Sequence, residues 1–434
     1  MPQVVRDPFA VIIYNLFPLL AGKVRDWRPH LARAADLGFD WVMVNPIQQP
    51  GYSGSLYSIK DYFAFNPLIV DGAGPAQGAA DFKSMSALAR QMGLRLMVDL
   101  VINHCAFDSD LTRQHPGWFR HEHGRLAHPS CKDERKRVTV WKDLVQFDQK
   151  NSPDAEGLYQ YLLKVVGFLA ELGFSGFRCD AAYQLPESFW RRLIAETRQR
   201  QPDAVFLAET LGCTPAQTSR TARAGFEYIF NSSKWWDFSS PWLLEQYDLT
   251  RLSAKSVSFP ESHDTERLAQ EQDGNLAALK QRYLFSALFS SGVLMPIGFE
   301  FAFRKRLDVV ETRPADWEQT GVDLSDFIRK MNKVKSENPV FQQDAATRIV
   351  PTRNADVLVL WKGSAPAGQE ALIILNKDVR RRQSFHSDDL YRNIQAPGPL
   401  TDVSPEYPLS YLPTPFEYDL RPGQGIVLVT GKSR

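Results

Sequence analysis

The sequence predicts an α/β protein: a (β/α)8 TIM barrel with a short B excursion after strand 3 and a C-terminal antiparallel β-sandwich domain. Short β-forming runs alternate with longer helical stretches along about three quarters of the chain, which is typical of consecutive βα units. A doubly wound sheet is the competing fold. It is disfavoured because no G-x-G-x-x-G phosphate fingerprint follows a predicted strand.

The predicted barrel strands are short runs rich in β-forming residues, such as AVIIY, DWVMVN and LRLMVDLV. The helices between them carry leucines, valines and aromatic residues at helical spacing. In chain order the strands are 10–14, 40–45, 94–101, 176–180, 204–209, 226–230, 256–259 and 293–299. The helices that follow them are 29–37, 80–92, 155–172, 187–200, 215–224, 242–252, 276–289 and 324–336.

Two stretches depart from this alternation and set the predicted domains. Residues 104–147 are rich in His, Arg, Lys and Asp without clear periodicity, so they form the predicted B excursion. Beyond residue 343, predicted strands at 357–361, 371–375 and 426–430 are separated by Pro, Gly, Asn and Ser turns. We therefore expect a barrel domain over 1–343 and a β domain over 344–434.

Composition and charge exclude several classes of partner. The 434 residues carry 51 Lys and Arg against 50 Asp and Glu, a net charge of +1, which favours neither nucleic acid nor an anionic membrane. The four cysteines lack CxxC spacing, which indicates reduced thiols and a cytoplasmic location. No window reaches the roughly 18 apolar residues of a membrane span. Nothing in the sequence indicates an oligomeric state.

Four acidic residues follow predicted barrel strands: Asp99, Asp180, Glu209 and Asp264. Each could simply cap the next helix, but active sites of such barrels lie where strands end. Two carboxylates on either side of one bond make a glycosidase site, in which one attacks and the other donates a proton. This chemistry requires no cofactor and no metal.

Neighbouring residues suit these acids to different tasks. Arg178 stands two positions before Asp180, so both side chains face the same way and the guanidinium keeps the carboxylate ionised. Glu209 ends the apolar run AVFLAE, which favours its protonated form. Asp264 follows His263, and this pair is suited to gripping vicinal sugar hydroxyls.

Seven ordered motifs make the chain resemble glycoside hydrolase family 13, the α-amylase superfamily, over nearly its whole length. Asp99 to His104 resembles the D-x-x-x-N-H motif, and 176–180 resembles the G-F-R-x-D motif. Residues 206–209 resemble the acid/base segment, and 259–264 resemble F-x-x-x-H-D. Further matches lie at Tyr57 with Asp61, at Gly38 with Pro46, and over 292–300.

This resemblance implies that Asp180 is the nucleophile, Glu209 the acid/base and Asp264 the third carboxylate. It assigns substrate binding to a second set: Tyr57, Asp61, Asp99, His104, Arg178, Tyr183 and His263. The implied activity is a retaining α-glucan-active hydrolase that cleaves α-glucosidic bonds of maltooligosaccharides or related glucans.

Two alternatives stay open. Many hydrolases of the family have Lys and His at the third and fourth positions after the nucleophile, whereas this chain has Tyr183 and Gln184. The proline at position 186 resembles the family's maltosyltransferases, which use maltose 1-phosphate. The alternative function is therefore an α-glucan transglycosylase. A non-catalytic carbohydrate-binding barrel is the third reading, and the presence of all three acids argues against it.

Two further features, a candidate calcium site and a tryptophan pair, each allow two interpretations. Asn103 and Asp143 match positions that the resemblance links to a calcium site, while the short, basic B excursion argues against calcium. Trp235 and Trp236 could form a platform for a sugar ring or pack between the barrel helices.

Overall fold

The computed structural model describes residues 11–71, 74–132, 138–364 and 368–431. Within these ranges, eight parallel strands close into a barrel in which each strand pairs with its neighbours in chain order and the eighth pairs with the first. We number them barrel strands 1 to 8: Ile12–Leu16, Trp41–Val44, Arg95–Leu100, Gly176–Cys179, Val205–Ala208, Tyr228–Phe230, Lys255–Ser258 and Gly292–Pro296.

A longer helix follows each barrel strand before the next begins. These helices are Arg28–Asp36, Pro75–Gln91, Ala155–Glu171, Glu187–Arg200, Pro215–Ala222, Trp242–Thr250, Leu276–Phe289 and Ser325–Glu337. Shorter α-helices lie at Pro18–Ala21, Leu111–Gln114 and Leu268–Glu271. The eight βα units agree with the predicted barrel.

Two insertions lie at the C-terminal ends of strands 2 and 3. The first is an antiparallel pair, Gln48–Pro50 with Ile59–Phe65, which the sequence did not predict. The second is the predicted B excursion. Its base is the pair His104–Ala106 with Leu144–Gln146, and it contains two small hairpins: His121–Glu122 with Arg125–Leu126, and Ser130–Lys132 with Val138–Val140.

The C-terminal part is antiparallel β structure, as predicted. Its main sheet has the strand order Ala346–Val350, Val357–Ser364, Gln369–Asn376, Gly425–Thr430 and Leu400–Asp402. A two-stranded ribbon, Gln383–Ser387 with Phe416–Leu420, shares an apolar cluster with this sheet. The predicted fold class is thus confirmed, whereas the boundary at 343/344 stays a prediction.

The core has separate layers inside and outside the barrel. Strand 1 illustrates the alternation: Ile13 faces the barrel interior, while Ile12 and Tyr14 pack towards the helices. This period of two determines which residues of each strand reach the mouth. None of the described helices is both long and apolar enough to cross a membrane.

Several element ends differ from the sequence prediction. Strand 1 runs over Ile12–Leu16 rather than 10–14, and residue 10 lies outside the described residues. Strand 8 ends at Pro296 rather than 299, because Gly298 adopts a left-handed conformation with φ of 93°. A Cβ at residue 298 would lie 2.3 Å from the Phe303 ring, so this turn requires glycine.

Candidate active site

Strand 4 carries two functional groups to the mouth of the barrel. Phe177 and Cys179 pack outwards, so the alternate residues Gly176 and Arg178 face the interior. Asp180 follows on the same side, just beyond the strand. Cys179 is buried within the outer core.

The parallel register brings acids from the adjacent strands to this position. Arg178 pairs with Asp99 of strand 3 and with Leu207 of strand 5. Glu209 lies two residues beyond the inward-facing Leu207 and therefore also reaches the mouth. Three acids that are distant in the chain thus meet at one end of the barrel.

The layer below this mouth depends on a residue without a side chain. A Cβ on Gly176 would lie 2.6 Å from the Trp41 ring and 3.0 Å from Met97. The ring of Trp41 therefore occupies the space that any larger residue at 176 would need. Glycine here allows the interior to pack while Arg178, one layer higher, keeps its position.

Arg178 bridges two of the acids through a single nitrogen. Its Nη1 donates to Asp99 Oδ1 at 2.8 Å, to Asp99 Oδ2 at 2.9 Å and to Asp180 Oδ1 at 2.8 Å. Burial opposes the charge, but the carboxylates hold the pKa of Arg178 well above its usual range. The Asp180 side chain is 17% exposed at the open mouth of the barrel, which forms the candidate cleft, while Arg178 fixes its orientation from below.

Glu209 is held against the turn that follows Asp180. Its Oε2 accepts the main-chain N–H of Ala181 at 2.9 Å, and its Oε1 accepts that of Leu211. Burial raises the pKa of Glu209 to about 7, although Arg178 acts in the opposite direction. A carboxyl with this pKa can hold a proton at neutral pH and release it, as an acid/base requires.

Tyr57 connects strand 3 to the loop after strand 7. Its hydroxyl lies 2.6 Å from Asp99 Oδ2 and 2.7 Å from His263 Nε2. The two rings stack with their centroids 5.9 Å apart. His263 Nε2 lies 3.1 Å from Asp264 Oδ2, and the Asp264 side chain is 55% exposed towards the cleft.

The pKa of Asp264 is shifted in the opposite direction to that of Glu209. The surrounding protein partly desolvates the carboxyl, which would raise its pKa, but His263 and then Arg178 outweigh this effect. The pKa of Asp264 therefore lies below its ordinary range. The site thus holds a proton-retaining Glu209 beside an acid that stays ionised.

The remaining predicted substrate-binding residues differ in position. His104 is buried, and its Nε2 contacts the carbonyl oxygen of Tyr57 at 3.1 Å. Burial lowers the pKa of its imidazole, so the ring is neutral. Tyr183 lies near Glu209, and burial raises the pKa of its hydroxyl to about 12. Asp61 is exposed and accepts the N–H of Phe63, so the structure does not bring it to the acids.

The two predicted calcium ligands do not make a complete donor set. Asn103 donates to Gln184 Oε1 at 3.2 Å, and its own Oδ1 is buried without a partner among the described residues. Asp143 is half-buried. No group of three His, Cys, Asp or Glu side chains in the described ranges could hold a metal. Calcium takes six to eight oxygen ligands, more than these two side chains supply, so a calcium site here stays a prediction.

The two tryptophans after strand 6 have different environments, one that suits packing between barrel helices and one that suits contact with a sugar ring. Trp236 is fully buried and packs on Phe238, Phe285 and Phe289. Trp235 is 53% exposed at the barrel mouth, with its ring edge-to-face on Phe259. Only Trp235 can offer a ring face to a ligand.

Sequence reasoning missed two polar residues behind the acids, Asn15 and Asn45. Both are completely buried, and Asn45 donates to the Tyr57 hydroxyl at 3.0 Å. The alternation was the available signal, because Asn45 stands two positions beyond Met43, which faces the interior.

Comparison with known proteins finds relatives whose names all refer to enzymes of glycogen or α-glucan metabolism. Residues 9–119 match the family described as glycogen debranching enzyme, glucanotransferase domain. An α-1,4-glucan:maltose-1-phosphate maltosyltransferase of Burkholderia pseudomallei is 26% identical over 396 residues, which cover 86% of this chain and 34% of that protein. The maltosyltransferase 1 of Streptomyces coelicolor is 25% identical over 394 residues, which cover 83% of this chain and 56% of that protein. The chain thus spans between a third and about half of the length of these relatives.

Solved structures share the fold. An α-amylase from Lactobacillus plantarum superposes with a TM-score of 0.77 at 19% identity, covering 98% of this chain and 99% of that one. An α-amylase from Geobacillus thermoleovorans, complexed with acarbose, gives a TM-score of 0.76 at 16% identity, with 98% and 99% coverage. The resemblance to the α-amylase superfamily, including its maltosyltransferases, is confirmed.

Proposed function

We propose that this chain, which resembles the α-amylase superfamily in its motifs and its fold, is a retaining enzyme acting on α-glucosidic bonds. Its substrates are maltooligosaccharides or related α-glucans. Asp180 is the nucleophile, Glu209 the acid/base and Asp264 the carboxylate that binds and stabilises the reacting sugar. Neither a cofactor nor a metal takes part in the steps below.

The observation that carries the proposal is the difference between two acids in one cleft. Burial raises the pKa of Glu209 to about 7, while His263 and Arg178 keep Asp264 ionised. Asp180 is anchored by Arg178 at 2.8 Å and is accessible from the cleft. Retaining glycosidases need an acid that holds a proton beside an accessible carboxyl group that attacks, and Glu209 and Asp180 are placed for these two roles.

In the first step, Asp180 attacks the anomeric carbon while Glu209 protonates the oxygen of the leaving group. The bond from that carbon to the leaving oxygen breaks, and a covalent β-glycosyl ester forms on Asp180. Arg178 keeps the attacking carboxylate in place through its hydrogen bond. Positive charge develops on the sugar in the transition state, where the ionised Asp264 stabilises it.

In the second step, Glu209 is deprotonated and acts as the base. It removes a proton from water or from a sugar hydroxyl, whose oxygen then attacks the anomeric carbon and releases Asp180. Two inversions at one carbon retain the configuration. Hydrolysis and transfer use the same residues and differ only in the acceptor.

A transglycosylase is the second candidate, because the relatives named above are maltosyltransferases that share most of this chain's length. In that reaction maltose 1-phosphate is the donor and phosphate is the leaving group. Tyr183, which stands near Glu209, then lies where leaving group and acceptor bind. The cytoplasmic location also stays a prediction.

Product analysis separates these candidates. The protein is incubated with maltooligosaccharides, with and without phosphate, and with maltose 1-phosphate plus an acceptor glucan; the products are resolved by mass. Shorter sugars alone indicate hydrolysis, and longer ones indicate transfer. Formation or use of maltose 1-phosphate identifies the phosphate-dependent reaction. If no product forms under any condition and Asp180→Asn still binds glucan, the non-catalytic reading replaces the proposal.

A further inference from the structure

Two buried asparagines support the active site from strands 1 and 2. The Asn15 side-chain amide donates to the main-chain oxygen of Met43 at 3.1 Å and to Asn45 Oδ1 at 2.9 Å. A carbonyl oxygen can only accept, so the contact with Met43 identifies the Asn15 atom as nitrogen. The same nitrogen then requires that Asn45 face it with oxygen.

The orientation of Asn45 determines its contact with Tyr57. The side-chain oxygen of Asn45 faces Asn15, so its amide nitrogen donates to the Tyr57 hydroxyl at 3.0 Å. The hydroxyl oxygen therefore accepts from Asn45, and its one proton is left for another partner. Asp99 Oδ2 lies 2.6 Å away. Tyr57 donates this proton to Asp99 Oδ2, and both oxygens of Asp99 also accept from Arg178.

The last contact determines where the His263 proton lies. The Tyr57 oxygen is 2.7 Å from His263 Nε2, and two acceptors would repel each other at this distance. The Tyr57 proton is already engaged with Asp99, so His263 must donate from Nε2. The other ring nitrogen, Nδ1, is buried and has no hydrogen-bond partner among the described residues.

We infer that Asn45, itself oriented by Asn15, is a positioning residue that acts through Tyr57. Asn45 thereby fixes the direction of each hydrogen bond in this network. As a result, the Nε2 proton of His263 lies between Tyr57 and Asp264. Asp264 Oδ2 lies 3.1 Å from this nitrogen and is thereby held for the substrate. The catalytic consequence rests on the proposed function, whereas the proton arrangement does not.

The first test requires no substrate. The 434-residue chain is labelled with 15N-histidine, and the His263 signals are assigned by their loss in His263→Gln. We expect nitrogen shifts and couplings that place a proton on Nε2. A neutral His263 ring protonated only on Nδ1 would overturn the inference, whether or not the protein acts on glucans and whether or not the variants below fold.

The second test is a double-mutant cycle on kcat/KM with a maltooligosaccharide. If Asn45 acts only through the Tyr57 hydroxyl, Asn45→Leu, Tyr57→Phe and the double variant should each lose about tenfold. Losses that multiply to about a hundredfold in the double variant would overturn the positioning role of Asn45.

A matched control is available in Asn332. It is also buried and bonds a tyrosine, accepting the Tyr283 hydroxyl at 2.6 Å, but it contacts no residue of the site. Any loss in Asn332→Leu should multiply with that of Tyr57→Phe. Coupling of equal size in this control would overturn the specific role of Asn45.

Discussion

Glu209 accepts the main-chain N–H of Ala181 at 2.9 Å, so the proposed acid/base is bonded to the residue directly after the proposed nucleophile. Ala181 has a left-handed conformation, with φ of 41°, which turns the chain from strand 4 towards strand 5. Local backbone geometry, rather than a side-chain pair, therefore fixes the acid relative to Asp180.

The pH dependence of activity should follow Glu209. Its pKa is raised to about 7, and the first step requires its protonated form, so kcat/KM should fall as pH rises through about 7. A pH–rate profile between about pH 5 and 9 measures this limb. Glu209→Gln should lose it together with most activity. Glu266→Gln, a change at a half-exposed side chain, should leave the limb in place.

A side chain at residue 176 should lower the stability of the protein. Gly176→Ala brings a methyl group to 2.6 Å from the Trp41 ring, and such overpacking costs about 1–3 kcal/mol of unfolding free energy. Gly167→Ala is the matched control, since a Cβ there meets nothing within 4 Å. Because Gly167 lies inside a helix, that change should stabilise the protein by about 0.5–1 kcal/mol. Chemical denaturation measures both, and equal effects would contradict the packing argument.

Two buried lysines cap the helix Leu276–Phe289. Lys335 donates to the carbonyl oxygens of Ala287, Ser290 and Phe341, and Lys362 donates to those of Leu288 and Phe289. Since Lys362 belongs to the C-terminal sheet, this cap connects the sheet to the barrel. Burial lowers the pKa of Lys362 to about 8.

Removing one cap should therefore be costly. Lys335→Met leaves three buried carbonyl oxygens without this donor and should lower the unfolding free energy by roughly 3 kcal/mol. Lys333→Met, on the same helix with a side chain 69% exposed, should change it by less than about 0.5 kcal/mol. Thermal or chemical unfolding of both variants checks the difference. Similar values for the two would show that the cap carries little stability.

Trp235 and Trp236 should separate binding from folding. Trp235→Ala removes an exposed ring and should raise KM for longer glucans severalfold, with little change in unfolding free energy. Trp236→Ala removes a buried ring and should cost about 3–5 kcal/mol. Steady-state kinetics on glucans of increasing length, together with unfolding curves, tests the pair. An unchanged KM in Trp235→Ala would exclude its contact with substrate.

Periodicity carried most of the fold prediction. The helices Glu187–Arg200 and Leu276–Phe289 have the predicted bounds. The antiparallel pair after strand 2 was missed because Ile59–Phe65 is only partly buried and includes Lys60 and Asp61. Such a strand lacks the continuous apolar run that marks the barrel strands.

The sequence predicted those site residues that are acidic and stand at the end of a barrel strand. Asp180 and Glu209 follow apolar strands, and the structure brings them to one mouth. Asn45 escaped prediction because it ends a predicted strand beside a proline, where an asparagine normally indicates the coming turn. Asp61 stood in a matching motif, but its side chain is exposed and accepts the N–H of Phe63, since motif spacing does not determine which residues of a half-exposed strand are buried.

The most direct test of the account is to identify the covalent intermediate. The protein is incubated with 5-fluoro-α-glucosyl fluoride, which slows the second step, and the digested protein is examined by mass spectrometry. We predict one glycosyl group per chain, on the peptide that contains Asp180, and none in Asp180→Asn. Turnover of glucans with inverted configuration, or a glycosyl group on another residue, would contradict the central claim.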